Sequence, residues 1–128
     1  MMVASQVKVL VIDDETSIRE SLSAFLEDFD FLVSASETAE KALQLILENE
    51  FDLAIVDLRL PGMDGDALIT KAHKIQPNLR YIIYTGSTEY NLPHELQEIG
   101  MSPEHVYLKP LLDLNLIVNG INTMVHTG

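Results

Sequence analysis

Cysteine is absent from this 128-residue chain, and basic residues are scarce. Without cysteine the chain has neither a disulfide framework nor a thiolate metal site. Eight lysines and arginines stand against twenty aspartates and glutamates, which gives a formal net charge of -12. Because a nucleic-acid binder needs a basic patch that neutralises phosphates, we do not expect direct binding to DNA or RNA.

Long apolar runs and targeting signals are also missing. No apolar stretch approaches the roughly 20 residues that a membrane-spanning helix needs. The N-terminus lacks a basic segment followed by the apolar core of a signal peptide. We therefore expect a cytoplasmic domain that does not bind a membrane.

What is present is an alternation of short apolar runs with longer segments of helical periodicity. The length and the hydrophobic fraction of 47% predict one domain over residues 1–128. Strands are predicted at residues 8–12, 31–35, 51–56, 79–84 and 105–108. These runs lack polar alternation, which is typical of parallel strands covered on both faces. We predict an α/β fold, a doubly wound parallel sheet with helices on both sides.

The segments between the strands carry apolar stripes at helical spacing. The first stripe is Ile18, Leu22, Phe25, Leu26 and Phe29, and the second is Ala39, Ala42, Leu43, Ile46 and Leu47. Ser36 is predicted to cap the second helix, since serine is a favoured N-cap residue. Pro93 suits the first turn of the fourth helix, which would then follow a long polar loop.

Four of the apolar runs end in residues that can carry chemistry. Asp13 and Asp14 follow the first run, Asp57 the third, Thr85 the fourth, and Lys109 the fifth. Ligands of open parallel sheets bind at the carboxyl ends of strands, near the point where the strand order reverses. We expect these five side chains to meet at one edge of the sheet.

The three aspartates form a candidate site for a divalent cation. Carboxylates crowded into one cleft repel one another, and a hard cation removes that repulsion. Mg²⁺, or Mn²⁺ in its place, prefers such oxygen ligands. Asp14 and Asp57 are predicted to ligate directly, Asp13 through water, and the backbone carbonyl of Arg59 is the natural further ligand.

The same residues suit phosphoryl transfer, which needs positioning and charge neutralisation more than covalent help from the protein. Asp57 is the candidate nucleophile, because aspartate forms acyl phosphates. The cation would take one phosphoryl oxygen and the Lys109 ammonium a second. The Thr85 hydroxyl and the N–H groups near Gly86 would serve the third, and Pro110 could follow the lysine in cis.

Each residue also has an ordinary structural explanation. The Asp13–Asp14 pair could cap the first helix, and Asp57 could be a turn residue at the end of a strand. Thr85 is a common strand residue, and Lys-Pro at the end of a strand is often a turn. The functional interpretation rests on the joint occurrence of all five at successive strand ends.

These motifs closely resemble the receiver domain of two-component response regulators. The motifs are Val-Ile-Asp-Asp-Glu at 11–15, Asp-Leu-Arg-Leu-Pro-Gly-Met-Asp-Gly at 57–65, Thr85-Gly86 and Lys109-Pro110. The resemblance covers about residues 8–125. It implies a flavodoxin-like (βα)5 fold with strand order 2-1-3-4-5.

The resemblance also implies roles for the site residues. Asp57 would accept a phosphoryl group from a histidine kinase or a histidine phosphotransfer protein. Asp13 and Asp14 would be the acidic pair that holds Mg²⁺, Thr85 the switch hydroxyl, and Lys109 the lysine that contacts the phosphate. The chain would be a signalling switch, catalysing only its own phosphorylation and dephosphorylation. Its readout face would be the fourth helix, fifth strand and fifth helix, which would meet a second copy or a downstream effector.

The chain departs from the receiver pattern where the signal is read out. Many receivers carry an aromatic residue three positions before the lysine, and here that position is Val106. Tyr107 follows it, but neighbouring strand residues point to opposite faces, so Tyr107 cannot simply replace the missing ring. Positions two residues after the phosphoacceptor affect access of water in this family. We hypothesise that Arg59 shields the phosphoryl group there.

Three other functions compete with the switch. A Mg²⁺-dependent aspartyl-phosphate phosphatase would need Asp-x-Asp at the first strand end, whereas Asp13 and Asp14 are adjacent. A flavodoxin-like module for small ligands would need a nucleotide or flavin loop, and the sequence has none. A degenerate receiver that is never phosphorylated and serves as a scaffold stays open because of Val106.

Overall fold

The structure, a computed structural model, describes residues 6–126. Five strands and five α-helices alternate along this part of the chain. The strands are β1 Lys8–Ile12, β2 Leu32–Ser36, β3 Leu53–Val56, β4 Arg80–Thr85 and β5 Val106–Leu108. The helices are α1 Thr16–Glu27, α2 Ala39–Glu48, α3 Gly65–Ile75, α4 His94–Glu98 and α5 Asn115–His126, with a 3₁₀ turn at Pro103–His105. The predicted domain of 1–128 extends beyond the described residues at both ends.

The strands form one sheet with the order β2-β1-β3-β4-β5, and all neighbours are parallel. This confirms the predicted fold class and the strand order that the resemblance implied. The strand order reverses at β1, which pairs with both β2 and β3. The carboxyl ends of β1 and β3 are therefore neighbours at the switch point, where such folds bind ligands.

Successive strand residues pack into two separate cores. Leu10 and Ile12 of β1 contribute to the core beneath α2, α3 and α4, while Val9 and Val11 contribute to the core beneath α1 and α5. Each of these four side chains is at most 1% exposed. This two-sided burial explains why the strands read as continuous apolar runs.

Several predicted details of the elements need correction. Thr38, and not Ser36, caps α2: its Oγ1 accepts a hydrogen bond from the Lys41 N–H at 3.1 Å. Ser36 is the last residue of β2, which ends one position later than predicted. Phe29 and Leu47, both placed on buried stripes by the periodicity, are 44% and 63% exposed. Phe29 lies two residues beyond the end of α1, and Leu47 is turned by about 100° around the axis of α2 from the buried Ile46.

The alternative in which the aspartate pair caps the first helix does not hold. Glu15 occupies the N-cap position of α1, and no side-chain hydrogen bond caps that helix. The Asp13 carboxylate instead accepts the N–H of Glu15 at 2.9 Å, before the helix begins. The acidic pair is therefore free to face the edge of the sheet.

The fourth helix starts late, after the polar loop, as predicted, and it is also short. Pro93 is its N-cap residue, and the helix covers only His94–Glu98. None of the helices within residues 6–126 is long and apolar enough to cross a membrane.

Candidate functional site

Two adjacent strands place the buried aspartates side by side. Asp13 follows β1 and Asp57 follows β3, and Ile12 pairs with Val56 where these strands end. The Asp57 N–H donates to the Ile12 carbonyl at 2.9 Å, so the ladder continues into the acidic residue itself. The main chain thus fixes where both carboxylates leave the sheet.

Asp13, Asp14 and Asp57 form one acidic cluster. Each offers a carboxylate oxygen, and these ligand atoms all lie within 4.8 Å of one another. Asp13 is 3% exposed and Asp57 5% exposed, while Asp14 lies at the surface. Three hard oxygen donors, one of them open to solvent, fit the ligand preference of Mg²⁺ or Mn²⁺.

Lys109 reaches into this cluster from the end of β5. Its Nζ lies 2.7 Å from a carboxylate oxygen of Asp13, 3.4 Å from one of Asp57 and 3.5 Å from one of Glu15. The lysine side chain is only 7% exposed. The Lys109 ammonium thus partly neutralises these carboxylates and lies within reach of a group bound to Asp57.

The pKa values of Asp57 and Lys109 reflect this crowding. Burial raises the pKa of Asp57, the charge of Lys109 opposes that rise, and the nearby Asp13 adds to it. Burial lowers the pKa of Lys109, but its hydrogen bond and charge interaction with Asp13, followed by the charges of Asp57 and Glu15, outweigh that effect and leave the pKa raised. The lysine therefore stays cationic at neutral pH.

Thr85 ends β4 beside the cluster. It is 1% exposed, and its Oγ1 accepts the Ser87 N–H at 3.1 Å. Its carbonyl accepts the Lys109 N–H at 2.8 Å, which ties the lysine backbone to β4. The hydroxyl and the lysine are thereby placed at the same opening.

That opening is a cavity of about 620 Å³ above the carboxyl edge of the sheet. Its lining includes Asp14, Glu15, Ile18, Asp57, Arg59, Thr85, Gly86, Ser87, Lys109 and Pro110. Such a volume admits a phosphoryl group and its donor. The structure thus brings the five predicted side chains to one edge, as the strand ends suggested.

Arg59 lies two residues after Asp57 with an exposed side chain. Its N–H donates to the Asp57 carboxylate at 3.4 Å, a long hydrogen bond. The role of its carbonyl as a cation ligand stays a prediction. The Lys109–Pro110 peptide bond is cis, as the sequence allowed.

Sequence reasoning missed three residues that support the site. Glu15 adds a further carboxylate, 3.5 Å from the Lys109 ammonium. The guanidinium of Arg19 donates a hydrogen bond to the Asp13 backbone carbonyl at 2.8 Å. A Cβ on Gly65 would lie 2.6 Å from the Asp57 carbonyl oxygen, so only glycine lets α3 start this close to Asp57. Glu15 and Gly65 are the last residues of two motifs quoted from the sequence, and that position was the signal that could have found them.

Strand β5 carries the two residues at which the sequence departs from the receiver pattern, Val106 and Tyr107. Val106 packs in the core beneath α3 and α4, and Tyr107 packs in the opposite core beneath α5. This confirms that the two residues face opposite sides of the sheet. The loop between β4 and α4 is tied to α3 by Tyr90, whose hydroxyl donates to Asp66 at 2.6 Å.

Comparison with known families and structures agrees with this geometry. A family model described as the response regulator receiver domain matches residues 9–119. The crystal structure of a CheY-like receiver domain protein from Methanospirillum hungatei JF-1 has a TM-score of 0.79 and 30% identity, covering 97% of this chain and all of that one.

Two further similarities bear on the family and the fold. Sporulation initiation phosphotransferase F of Bacillus subtilis is 29% identical over 93 residues, which is 73% of this chain and 75% of that protein. The response regulator TrrA of Thermotoga maritima, solved in complex with Mg²⁺-BeF, has a TM-score of 0.80 over 93% of this chain and 99% of its own. At 22% identity that likeness shows the fold alone. The chain spans less than half the length of several further curated relatives, among them transcriptional regulators.

Proposed function

The chain belongs to the response regulator receiver domain family, and from that premise we propose that it is a phosphorylation-dependent signalling switch with Asp57 as phosphoacceptor. One observation carries the proposal. The Asp57 carboxylate is buried, yet it borders the cavity, lies in the acidic cluster and is 3.4 Å from the Lys109 ammonium. A nucleophile, a cation site and a fixed positive charge are what this transfer requires.

The proposed step is a transfer to a carboxylate oxygen. An oxygen of Asp57 forms the new bond to phosphorus, and the bond from phosphorus to the donor breaks. That bond is P–N in a phosphohistidine and P–O in acetyl phosphate, and the bonding pair leaves with the donor. The product is an acyl phosphate on Asp57.

Asp13, Asp14, Asp57 and the Arg59 carbonyl would hold Mg²⁺ or Mn²⁺. When bound, the cation supplies charge neutralisation for the phosphoryl oxygens and for the crowded carboxylates. Asp13 already shares its charge with Lys109, and for this reason we assign it a ligand role through water.

Lys109 and Thr85 are proposed to receive the phosphoryl group. Lys109 would exchange part of its contact with Asp57 and Asp13 for a phosphoryl oxygen, a charge-assisted hydrogen bond. The Thr85 hydroxyl, now accepting from the Ser87 N–H, would turn to donate to another oxygen. The loop that follows Thr85 would move with it.

This movement would change the face formed by α4, β5 and α5. A ligand shifts a two-state equilibrium only by its differential interaction with the two states, and near-complete inversion needs about 5 kcal/mol. With Val106 at the usual aromatic position, the loop carrying Tyr90 takes a larger part in the transmission. A downstream effector or a second copy would recognise the changed face.

The proposed donor is a histidine kinase or a histidine phosphotransfer protein. A relative named as a phosphotransferase supports a place in a phosphorelay, since that protein covers most of the chain at 29% identity. The second candidate is a scaffold that binds partners without phosphorylation. Val106 favours it, because the usual coupling between threonine and aromatic has no ring here.

Phosphorylation by a small donor tests the proposal. The protein is incubated with MgCl₂ and acetyl phosphate, and its intact mass is measured beside Asp57→Asn and a sample treated with EDTA. We expect a gain of one phosphoryl group in the parent with MgCl₂ and none in the other two. A gain in Asp57→Asn would reassign the acceptor. If the parent gains no phosphoryl group from acetyl phosphate or from phosphorylated histidine phosphotransfer domains, the switch is refuted and the scaffold is the remaining candidate function.

A further inference from the structure

Tyr84 is a buried aromatic residue directly before Thr85, and the proposed function does not use it. It lies on β4, faces the core beneath α1 and α5, and is 5% exposed. A tyrosine this deep needs a partner for its hydroxyl. Its oxygen accepts the Leu111 N–H at 3.1 Å, two residues beyond Lys109.

The ring of Tyr84 also contacts the lysine itself. The Nζ of Lys109 lies 5.7 Å from the ring centroid, inside the range of about 6 Å for cation–π attraction. The ammonium is therefore held on one side by the acids and on another by the face of the ring. Because Lys109 is 7% exposed, this attraction is weakly screened by water.

Tyr84 and Thr85 together hold the short segment 109–111 at both ends. The Lys109 N–H donates to the Thr85 carbonyl at 2.8 Å, and the Leu111 N–H donates to the Tyr84 hydroxyl. One contact is main chain and would form with almost any residue. The other exists only because residue 84 is a tyrosine.

We propose that Tyr84 is a positioning residue for Lys109, which it supports through its ring and through the anchor on Leu111. The inference rests on the proposed function of the acidic pocket. A lysine side chain is a long stem with several freely rotating bonds, so its direction must be set by its surroundings. A misplacement of about 1 Å at a reacting group can cost on the order of 100-fold in rate.

Two substitutions separate the ring from the hydroxyl. Tyr84→Phe keeps the ring beneath Lys109 and removes the anchor on Leu111, while Tyr84→Leu removes both. Tyr107→Phe is the matched control, because Tyr107 is paired with Tyr84 across the β4–β5 ladder and packs in the same core. Its hydroxyl lies against Gly120 in α5, away from the pocket.

The first readout is geometric and uses the metal-free protein. We expect ring-current displacement of the Lys109 Cε–Hε NMR signal, assigned by its loss in Lys109→Arg. The displacement should persist in Tyr84→Phe and in Tyr107→Phe and should vanish in Tyr84→Leu. This signal reports whether the Tyr84 ring lies over the Lys109 side chain. Whether that contact positions the lysine is decided by the rate of phosphorylation, which a role of Tyr84 in the core alone would leave at the parent value.

The second readout is the rate of phosphorylation by acetyl phosphate with MgCl₂. At saturating donor we expect a maximal rate roughly tenfold lower in Tyr84→Leu, a smaller loss in Tyr84→Phe, and the parent rate in Tyr107→Phe. Parent rates in both Tyr84 variants, or an undisplaced Lys109 signal in the parent, would overturn the proposal. If Tyr84→Leu does not fold, the Tyr84→Phe rate and the parent signal decide alone.

These readouts also separate the two proposals. If the parent gains no phosphoryl group, the proposed function fails, and the NMR signal still reports whether the Tyr84 ring lies against Lys109. If the parent is phosphorylated and the Tyr84 variants match it, only the present inference fails.

Discussion

The carboxyl edge of the sheet has two halves that follow the receiver pattern to different degrees. In the acidic half, at β1 and β3, Asp13 and Asp57 are buried and paired with Lys109 at 2.7 and 3.4 Å. In the readout half, at β4 and β5, Val106 replaces the usual aromatic, and Tyr107 packs against the opposite core.

The difference shows that residue types are constrained more strongly in the acidic half than in the readout half. A buried charge without its partner costs several kcal/mol, so the acidic half tolerates little change in residue type or position. An apolar side chain can be replaced by another of similar volume at a cost below about 1.5 kcal/mol in the free energy of unfolding. The residue types of the readout half can therefore vary. In this chain the loop before α4 is held to α3 by the hydrogen bond from Tyr90 to Asp66.

Gly65→Ala is expected to give the largest effect, because it forces backbone apart in the acidic half. The new Cβ would lie 2.6 Å from the Asp57 carbonyl oxygen and 3.0 Å from the Leu58 Cα. Since backbone atoms cannot move aside cheaply, we expect a loss of about 2 kcal/mol in the free energy of unfolding, measured with urea.

Gly86→Ala is the control for this substitution. A Cβ at Gly86 would meet nothing within 4 Å, so its free energy of unfolding should stay within about 0.5 kcal/mol of the parent value. Equal effects of the two substitutions would show that close approach of α3 to Asp57 is not what requires glycine at 65.

Gly120→Ala tests the packing of Tyr107 in the readout half, because its effect on the free energy of unfolding should change sign when Tyr107 is replaced. Alanine normally stabilises a helix interior by about 1 kcal/mol relative to glycine. Here its Cβ would clash with the Tyr107 hydroxyl, so we expect a net destabilisation of about 1 kcal/mol. In a Tyr107→Val background the same substitution should instead stabilise the protein. Urea unfolding of the four proteins measures this, and an unchanged sign would refute the contact.

Arg59→Ala tests whether the acidic half also sets the lifetime of the acyl phosphate. Arg59 lines the cavity beside Asp57 with an exposed cationic side chain. If it shields the phosphoryl group from water, the variant should lose phosphate severalfold faster than the parent. Hydrolysis is followed by intact mass after removal of the donor, with Arg59→Lys as the control that keeps the charge. An unchanged lifetime in Arg59→Ala would sink the hypothesis.

His105→Gln is expected to have the smallest effect, in the 3₁₀ turn that precedes β5. His105 Nδ1 accepts the Ser102 N–H at 3.1 Å, which requires an unprotonated nitrogen. Burial lowers the pKa of His105 below its usual value, the charge of Glu104 opposes that change, and Arg80 adds to it.

The sign of the pH dependence follows from this lowered pKa. The unfolded chain binds the proton more readily, so stability is complete above the unfolded pKa near 6.5 and falls as the pH drops through the lower folded pKa. His105→Gln should show a flatter dependence of the urea midpoint below pH 6.5. A steeper dependence in the variant would contradict the assignment.

Much of the fold and of the site could be predicted because its signals are local. Continuous apolar runs locate buried parallel strands, and the polar residues after them lie at the carboxyl edge by geometry alone. For this reason Asp13, Asp57, Thr85 and Lys109 could be placed together before any coordinates were known.

What the sequence could not show depends on distant contacts or on exact element ends. Nothing local says that Thr38 rather than Ser36 caps α2, since both residue types are good N-caps and they stand only two positions apart. The support of Lys109 by Tyr84 depends on the pairing of β4 with β5 and on the path of residues 109–111. Phe29 continues the apolar period of α1, but the helix has already ended at Glu27, and its side chain is exposed.

The central claim is that phosphorylation of the acidic half changes the readout half. The most direct test is a comparison of backbone amide NMR spectra with MgCl₂ alone and with MgCl₂ plus acetyl phosphate, in the parent and in Asp57→Asn. We predict that the donor shifts amides at residues 86–92 and in α4 and β5 of the parent, and none of these in the variant. Shifts confined to the pocket, or equal shifts in Asp57→Asn, would contradict the account.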